Sequence, residues 1–226
     1  MATLSPISRV NRSKKEARDS YDHMSRWYDL MAGSAEKRYK EMGIGKLNIQ
    51  EGEFILEIGF GTGHSIESMA HLVGGSGKVF GVDISEKMTA ITQTIIKNAG
   101  LSERVELKCG DAAQLPYENN SMDAIFCSFT LELFDTPEIA VVLNECSRVL
   151  RNQGRICVIS MSKKERSNVM VRLYEWAHDR FEKFVDCRPI YAKESLEEAG
   201  FCIDSLSELS MYGLPVDIVL AKKISQ

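Results

Sequence analysis

The chain is read as an α/β protein built on a doubly wound, mostly parallel sheet, and three observations predict it. Short apolar runs alternate with helical patterns from Glu53 to Met161, the rhythm that builds parallel strands joined by crossover helices. The first run, Phe54–Ile58, ends in alternating glycines at Gly59, Gly61 and Gly63. The second ends in an acid, Asp83, about twenty residues further on, where this class of fold places a carboxylate on sugar hydroxyls.

Each element has its own signal. Near-continuous hydrophobicity over Phe54–Ile58 means a strand covered on both faces. The glycines that follow allow a tight turn and a close approach of ligand to backbone. A helix over 65–73 comes next, then an apolar strand over 78–84. Ser85 caps a helix over Glu86–Asn98, and Gly100 closes it. A third strand spans 104–109 and leads into Gly110-Asp-Ala112. The polar run 118–123 announces a fourth strand, Met122–Ser128. Pro137 starts a helix over 138–150, Gly154 lies beyond its end, and 155–161 is a fifth strand.

Beyond residue 163 the rhythm breaks. Met170, Leu173, Tyr174, Ala177, Phe181 and Phe184 form an apolar stripe at helical spacing over 167–185. It packs into the core or forms a cover over an acceptor pocket or a bilayer. A short helix over 192–200, a strand over 201–206 and a last strand over 214–222, joined to its neighbour by a hairpin, complete the chain. At the other end, Tyr21, Met24, Tyr28 and Met31 share one helical face. The expected organisation is an N-terminal tail and cap helices over residues 1–45. A main domain over 46–226 follows, with a lid-like helical insert at about 163–190.

The glycine spacing and its neighbour narrow the ligand. A dinucleotide turn reads G-x-G-x-x-G, whereas this one reads G-x-G-x-G, with Glu57 two positions before the first glycine. A carboxylate facing the ligand repels a pyrophosphate and suits a cationic group. Asp83 is placed for ribose hydroxyls, and Asp111 and Ala112 at the end of the third strand for an adenine amino group. Ile84 and Met88 supply apolar contacts for a flat ring, and Ser128 ends the fourth strand.

Leu56-Glu-Ile-Gly-Phe-Gly-Thr-Gly63, Gly81-Val-Asp-Ile-Ser85, Gly110-Asp-Ala-Ala-Gln-Leu-Pro116 and Asn120-Ser-Met-Asp123 resemble successive motifs of the class I S-adenosylmethionine-dependent methyltransferases. Arg148-Val-Leu-Arg-Asn-Gln-Gly154 is similar to the segment leading into their fifth strand. The resemblance points to the branch holding the ubiquinone and menaquinone biosynthesis C-methyltransferases and related small-molecule and lipid methyltransferases. It covers about residues 21–201. Phe60, Asn152-Gln153 and Thr130-Leu-Glu-Leu-Phe134 depart from the pattern, and the last departure bears on the acceptor rather than the cofactor.

The resemblance implies a Rossmann-like, seven-stranded sheet with an antiparallel last strand, and S-adenosylmethionine as cofactor. Glu57, Gly59, Gly61 and Gly63 would hold its amino-acid end, with Tyr21 or Tyr28 of a capping helix reaching the methionine carboxylate. The acceptor would be small or lipid-like: a quinone-type ring, or an amine or phospholipid headgroup. A nicotinamide-dependent oxidoreductase and a non-catalytic cofactor-binding subunit are the rival readings. The cofactor supplies the activated methyl, so alignment and exclusion of water are the protein's main tasks. Candidate bases are His23, His64, Glu132, Asp135 and His178, of which His64, Glu132 and His178 stand nearest the expected pocket.

Composition sets limits. The 226 residues suffice for one domain with a sizeable core, and a net charge of −4 argues against nucleic acid as a bulk electrostatic partner. No run reaches membrane-span length and no secretory leader is evident, so a cytoplasmic location is expected. The six cysteines are scattered without a C-x-x-C pair and read as buried, reduced thiols. The four histidines complete no metal set. The basic tail with Arg9, Arg12, Lys14 and Lys15 reads as solvated, or as attracted to an anionic surface. Peripheral membrane contact and a homodimer are both compatible with these features.

Overall fold

The computed structural model describes residues 34–163 and 188–224, together with Ile7, Arg9, Val10, Glu16 and Arg18. The expected helix bearing Tyr21, His23 and Tyr28, the helical insert bearing His178, and Cys187 lie outside the described residues.

Helix α1 (Ser34–Leu47) precedes strand β1 (Phe54–Ile58), α2 (His64–Leu72), β2 (Lys78–Asp83), α3 (Glu86–Asn98) and β3 (Val105–Cys109). Then come β4 (Met122–Ser128), α4 (Thr136–Val149), β5 (Leu150–Met161), α5 (Ala192–Glu198), β6 (Phe201–Met211) and β7 (Leu214–Lys223). The seven strands form one sheet in the order β3-β2-β1-β4-β5-β7-β6. Strands β1 to β5 pair in parallel, and β7 runs antiparallel to both β5 and β6. The mostly parallel sheet with an antiparallel last strand is therefore as expected.

Alternate residues of each central strand enter opposite cores, as a period of two requires. Leu56, Ile58, Ile125 and Cys127 pack with Ile139, Val142, Leu143 and Cys146 of α4 and Leu196 of α5. Ile55, Ala124, Phe126 and Ile159 pack with Tyr39 and Leu47 of α1, Ile66 and Met69 of α2 and Ile96 of α3. Helix α1 lies close on the sheet because Gly43 lacks a side chain. A Cβ there would stand 2.7 Å from Ile159 Cδ1 and 2.9 Å from Phe126 Cε2.

Two boundaries, at 150 against the expected 155 and at 211 against 206, differ from the sequence reading by more than two residues. Strand β5 starts at Leu150 rather than 155, since Leu150 already pairs with Met122 before the register shifts. The Asn152-Gln153-Gly154 segment, expected to lead into the fifth strand, is a bulge inside it, with Gln153 at φ 65°. Strand β6 runs on to Met211, past the expected 206. At this edge position its outward residues face solvent, so polar side chains are tolerated along its length. The hairpin to β7 turns through Tyr212 and Gly213, at φ 53° and 84°, the two left-handed residues that match the twist of the flanking strands. Of the cysteines, Cys127, Cys146 and Cys157 are buried free thiols, but Cys109 and Cys202 are exposed. No described helix is long and apolar enough to cross a membrane.

Candidate cofactor-binding site

The carboxyl ends of β1, β2, β3 and β4 open into one cavity, at the point where successive crossovers run in opposite directions along the sheet. Its floor is the turn Gly59–Thr62, whose first residue donates its N–H to Val82 O at 2.8 Å. A Cβ on Gly59 would lie 2.3 Å from Thr130 Oγ1, so only glycine fits. Gly61, at φ 52°, has nothing within 4 Å of its Cβ position, which leaves its backbone open to a ligand. Asp83 ties the turn to β2. One carboxylate oxygen accepts the Ser85 N–H and the other the Gly61 N–H, each at 2.9 Å. Beyond it, Asp111 accepts the Ala113 N–H at 2.9 Å.

Of the residues named from sequence, Gly59, Gly61, Asp83, Ile84, Met88, Asp111, Ala112 and Ser128 all line this cavity. Gly63 does not. It starts α2 with φ 81°, and a Cβ there would strike Thr92 at 2.3 Å, so its role is in the turn itself. Glu57 is also outside the lining and only 2% exposed. Burial is the main cause that pushes its carboxyl from 4.5 up to about 8, against opposing pulls from Lys40 and a Ser65 hydrogen bond and with a small push from Asp83. At neutral pH it is mostly a neutral acid, not the ligand-facing anion expected from sequence.

The candidate bases fare differently. His64 is exposed on the first turn of α2 and does not line the cavity. Glu132 is fully buried, and its Oε1 accepts the Met161 N–H at 3.1 Å; a carboxylate that holds backbone this way is a structural acceptor. Asp135 does line the cavity. Arg9 grips both of its oxygens at 2.6 to 3.0 Å, and the Val10 and Thr136 N–H groups donate to Oδ1 at 3.1 and 2.9 Å. These contacts, the Arg9 hydrogen bond foremost, pull its pKa down to about 2, which makes it a weak base. Tyr21, Tyr28 and His178 lie outside the described residues.

Val10, Thr62 and Phe129, which the sequence reading did not name, also line the cavity, as do Lys40, Phe60 and Thr130, to which it gave no cofactor role. Phe129 holds φ 50°, rare for an aromatic residue and typical of strained functional positions. The wall of Leu133, Phe134 and Asp135 is braced from behind by the buried Arg188, which donates to Phe134 O and to Thr136 Oγ1.

The residues present fit a nucleoside sulfonium. Carboxylates at the ends of β2 and β3 can accept hydrogen bonds from hydroxyls and an amino group. Ile84 and Met88 offer an apolar face, and the open Gly61 admits the chain between. The model of a methyltransferase domain matches residues 55–154, which hold the glycine turn, Asp83, Asp111 and Ser128. The chain belongs to the class I S-adenosylmethionine-dependent methyltransferases, and S-adenosylmethionine is its methyl donor. It is similar to the demethylmenaquinone methyltransferase of Lactobacillus johnsonii, 26% identical over 93% of this chain and 95% of that protein. It is 32% identical to the ubiquinone/menaquinone biosynthesis C-methyltransferase UbiE of Pseudomonas fluorescens, over 69% of this chain and 58% of that one. Among solved structures, the [4+2]-cyclase SpnF superposes with a TM-score of 0.78 at 20% identity, covering 98% of this chain and 100% of that one. That likeness concerns the fold alone, because one fold hosts many reactions.

Proposed function

We propose that this enzyme methylates a ring carbon of a small, apolar quinol. The observation that carries the reading is the apolar and aromatic wall on the acceptor side: Phe129, Leu133, Phe134 and Val10. A flat ring gains from such contacts, whereas a charged headgroup would lose its hydration there. Similarity to the L. johnsonii demethylmenaquinone methyltransferase along nearly the whole chain supports the same acceptor class.

When bound, S-adenosylmethionine supplies an electrophilic methyl group on a sulfonium. The chain's part is to align and enclose. Asp83 would accept from the ribose hydroxyls, Asp111 and Ala112 would hold the adenine edge, and Ile84 and Met88 would cover its face. The turn at Gly59 and Gly61 lets the backbone approach the amino-acid end. Phe129, Leu133 and Phe134 hold the ring in line with the methyl and keep water out. The cofactor would give its methyl to the ring carbon, its sulfur keeping the electron pair of the C–S bond. The ring proton then departs to solvent or a base, and Asp135, held near pKa 2, is unsuited to take it.

Transfer from methyl-labelled cofactor tests the reading, with a reduced demethylmenaquinone, an ethanolamine phospholipid and small primary amines as acceptors. Label on a carbon of the quinol alone is the expected result. Label on nitrogen, or on none of the three, overturns it.

A further inference from the structure

The cavity carries an imbalance of charge. Its described lining includes four acids, Asp83, Asp111, Asp135 and Glu138, of which Asp135 is already paired with Arg9, and a single cation, Lys40. The cofactor brings a sulfonium and an ammonium, which acids welcome, but also a carboxylate, which they repel. The amino-acid end therefore needs a positive partner.

We propose that Lys40 binds the carboxylate of the cofactor's amino-acid end, and that Glu36 positions its ammonium. This rests on the reading of the cavity as the cofactor site and assigns a residue within it. Place and chemistry agree. Asp83 and Asp111 stand at the ends of β2 and β3, so an adenosine held there directs its amino-acid end towards β1 and β4. Helix α1 docks on β4 and β5 through Gly43 and carries Lys40 one turn earlier, on that side. Its charge is felt by Glu57 on β1, two residues before the glycine turn.

Glu36 Oε2 stands 2.9 Å from Lys40 Nζ, one helical turn away. The side chains are 9% and 25% exposed, so the pair is tucked against the protein rather than waving in solvent. An ammonium has three donors, and one contact to Glu36 leaves capacity for a second carboxylate. The helical pair thus holds the lysine over the cavity before any ligand arrives, which lowers the ordering cost of binding. Tyr21 and Tyr28, to which the resemblance assigned this carboxylate, lie outside the described residues.

Calorimetric titration with two ligands tests the assignment. S-adenosylhomocysteine carries the carboxylate; 5′-methylthioadenosine lacks the whole amino-acid group. Lys40→Met is expected to weaken S-adenosylhomocysteine by roughly tenfold to a hundredfold, the loss of a hydrogen bond to a charged partner, and to leave methylthioadenosine unchanged. Lys40→Arg should restore part of the loss, and Glu36→Gln should show a smaller loss of the same selectivity. An equal loss for both ligands, or none for either, overturns the role of Lys40 while the cofactor site stands. A wild-type protein that binds neither ligand overturns the site reading itself.

Discussion

Glu57→Gln isolates one buried charge. Burial lifts this carboxyl from 4.5 to about 8. Below pH 4.5 the folded and unfolded chains both carry the proton, and the neutral acid costs little. As pH rises towards 8 the unfolded chain releases it freely, while the folded chain must keep it or bury an anion. The acid's contribution to stability is therefore present at low pH and lost as pH climbs through its folded value. At 1.36 kcal/mol per pKa unit, the loss between pH 5 and pH 8 is about 3 kcal/mol. Glutamine keeps the shape and never ionises, so the variant lacks this slope. Urea denaturation of both proteins at pH 5, 6, 7 and 8 should show near equality at the acid end. The variant should gain steadily, by about 3 kcal/mol at pH 8. Other titrating groups are common to both proteins and cancel in the difference. Parallel profiles would refute the account of Glu57 as an acid kept neutral by burial.

Asp83→Asn keeps the size of the side chain but removes the charge proposed to accept from ribose. S-adenosylhomocysteine should bind more weakly by about 1–3 kcal/mol in calorimetry. Gly59→Ala drives a methyl against Thr130 at a positive φ; it should cost about 1–3 kcal/mol of stability in urea melts and reduce cofactor affinity. Gly43→Val pushes α1 away from Ile159 and Phe126. It should destabilise by about 1–3 kcal/mol and, because α1 carries Lys40, weaken S-adenosylhomocysteine more than methylthioadenosine.

The central strands β1 and β4 were legible because they are buried on both faces and read as nearly continuous apolar runs, whereas β3, at the sheet edge, alternates as Val-Glu-Leu-Lys-Cys. The glycine turn and Asp83 were legible because their spacing is dictated by backbone geometry rather than by side-chain choice. Elsewhere local pattern and tertiary role part company. Lys40 has charged neighbours at Glu36, Lys37, Arg38 and Glu41, and no local pattern singles it out; the docking of α1 through a missing side chain at Gly43 brings it to the cavity. Glu57 looks like an anion because a sequence does not show dielectric surroundings. Glu132 looks like a loop acid facing the acceptor, yet it is consumed by the backbone of β5. Asn152-Gln153-Gly154 carries turn residues, and a bulge uses the same left-handed freedom inside a strand.

Strand β7 lies between β5 and β6, although it follows both in the chain. On a ribosome, β6 emerges with no docking place, and β5 keeps an unpaired edge until residues 214–223 are free to slide in. Closing the sheet thus waits for β7, a wedge driven between two strands that were laid down before it. Variants that slow this step would betray themselves as aggregation during expression rather than as a lower melting point of the finished protein.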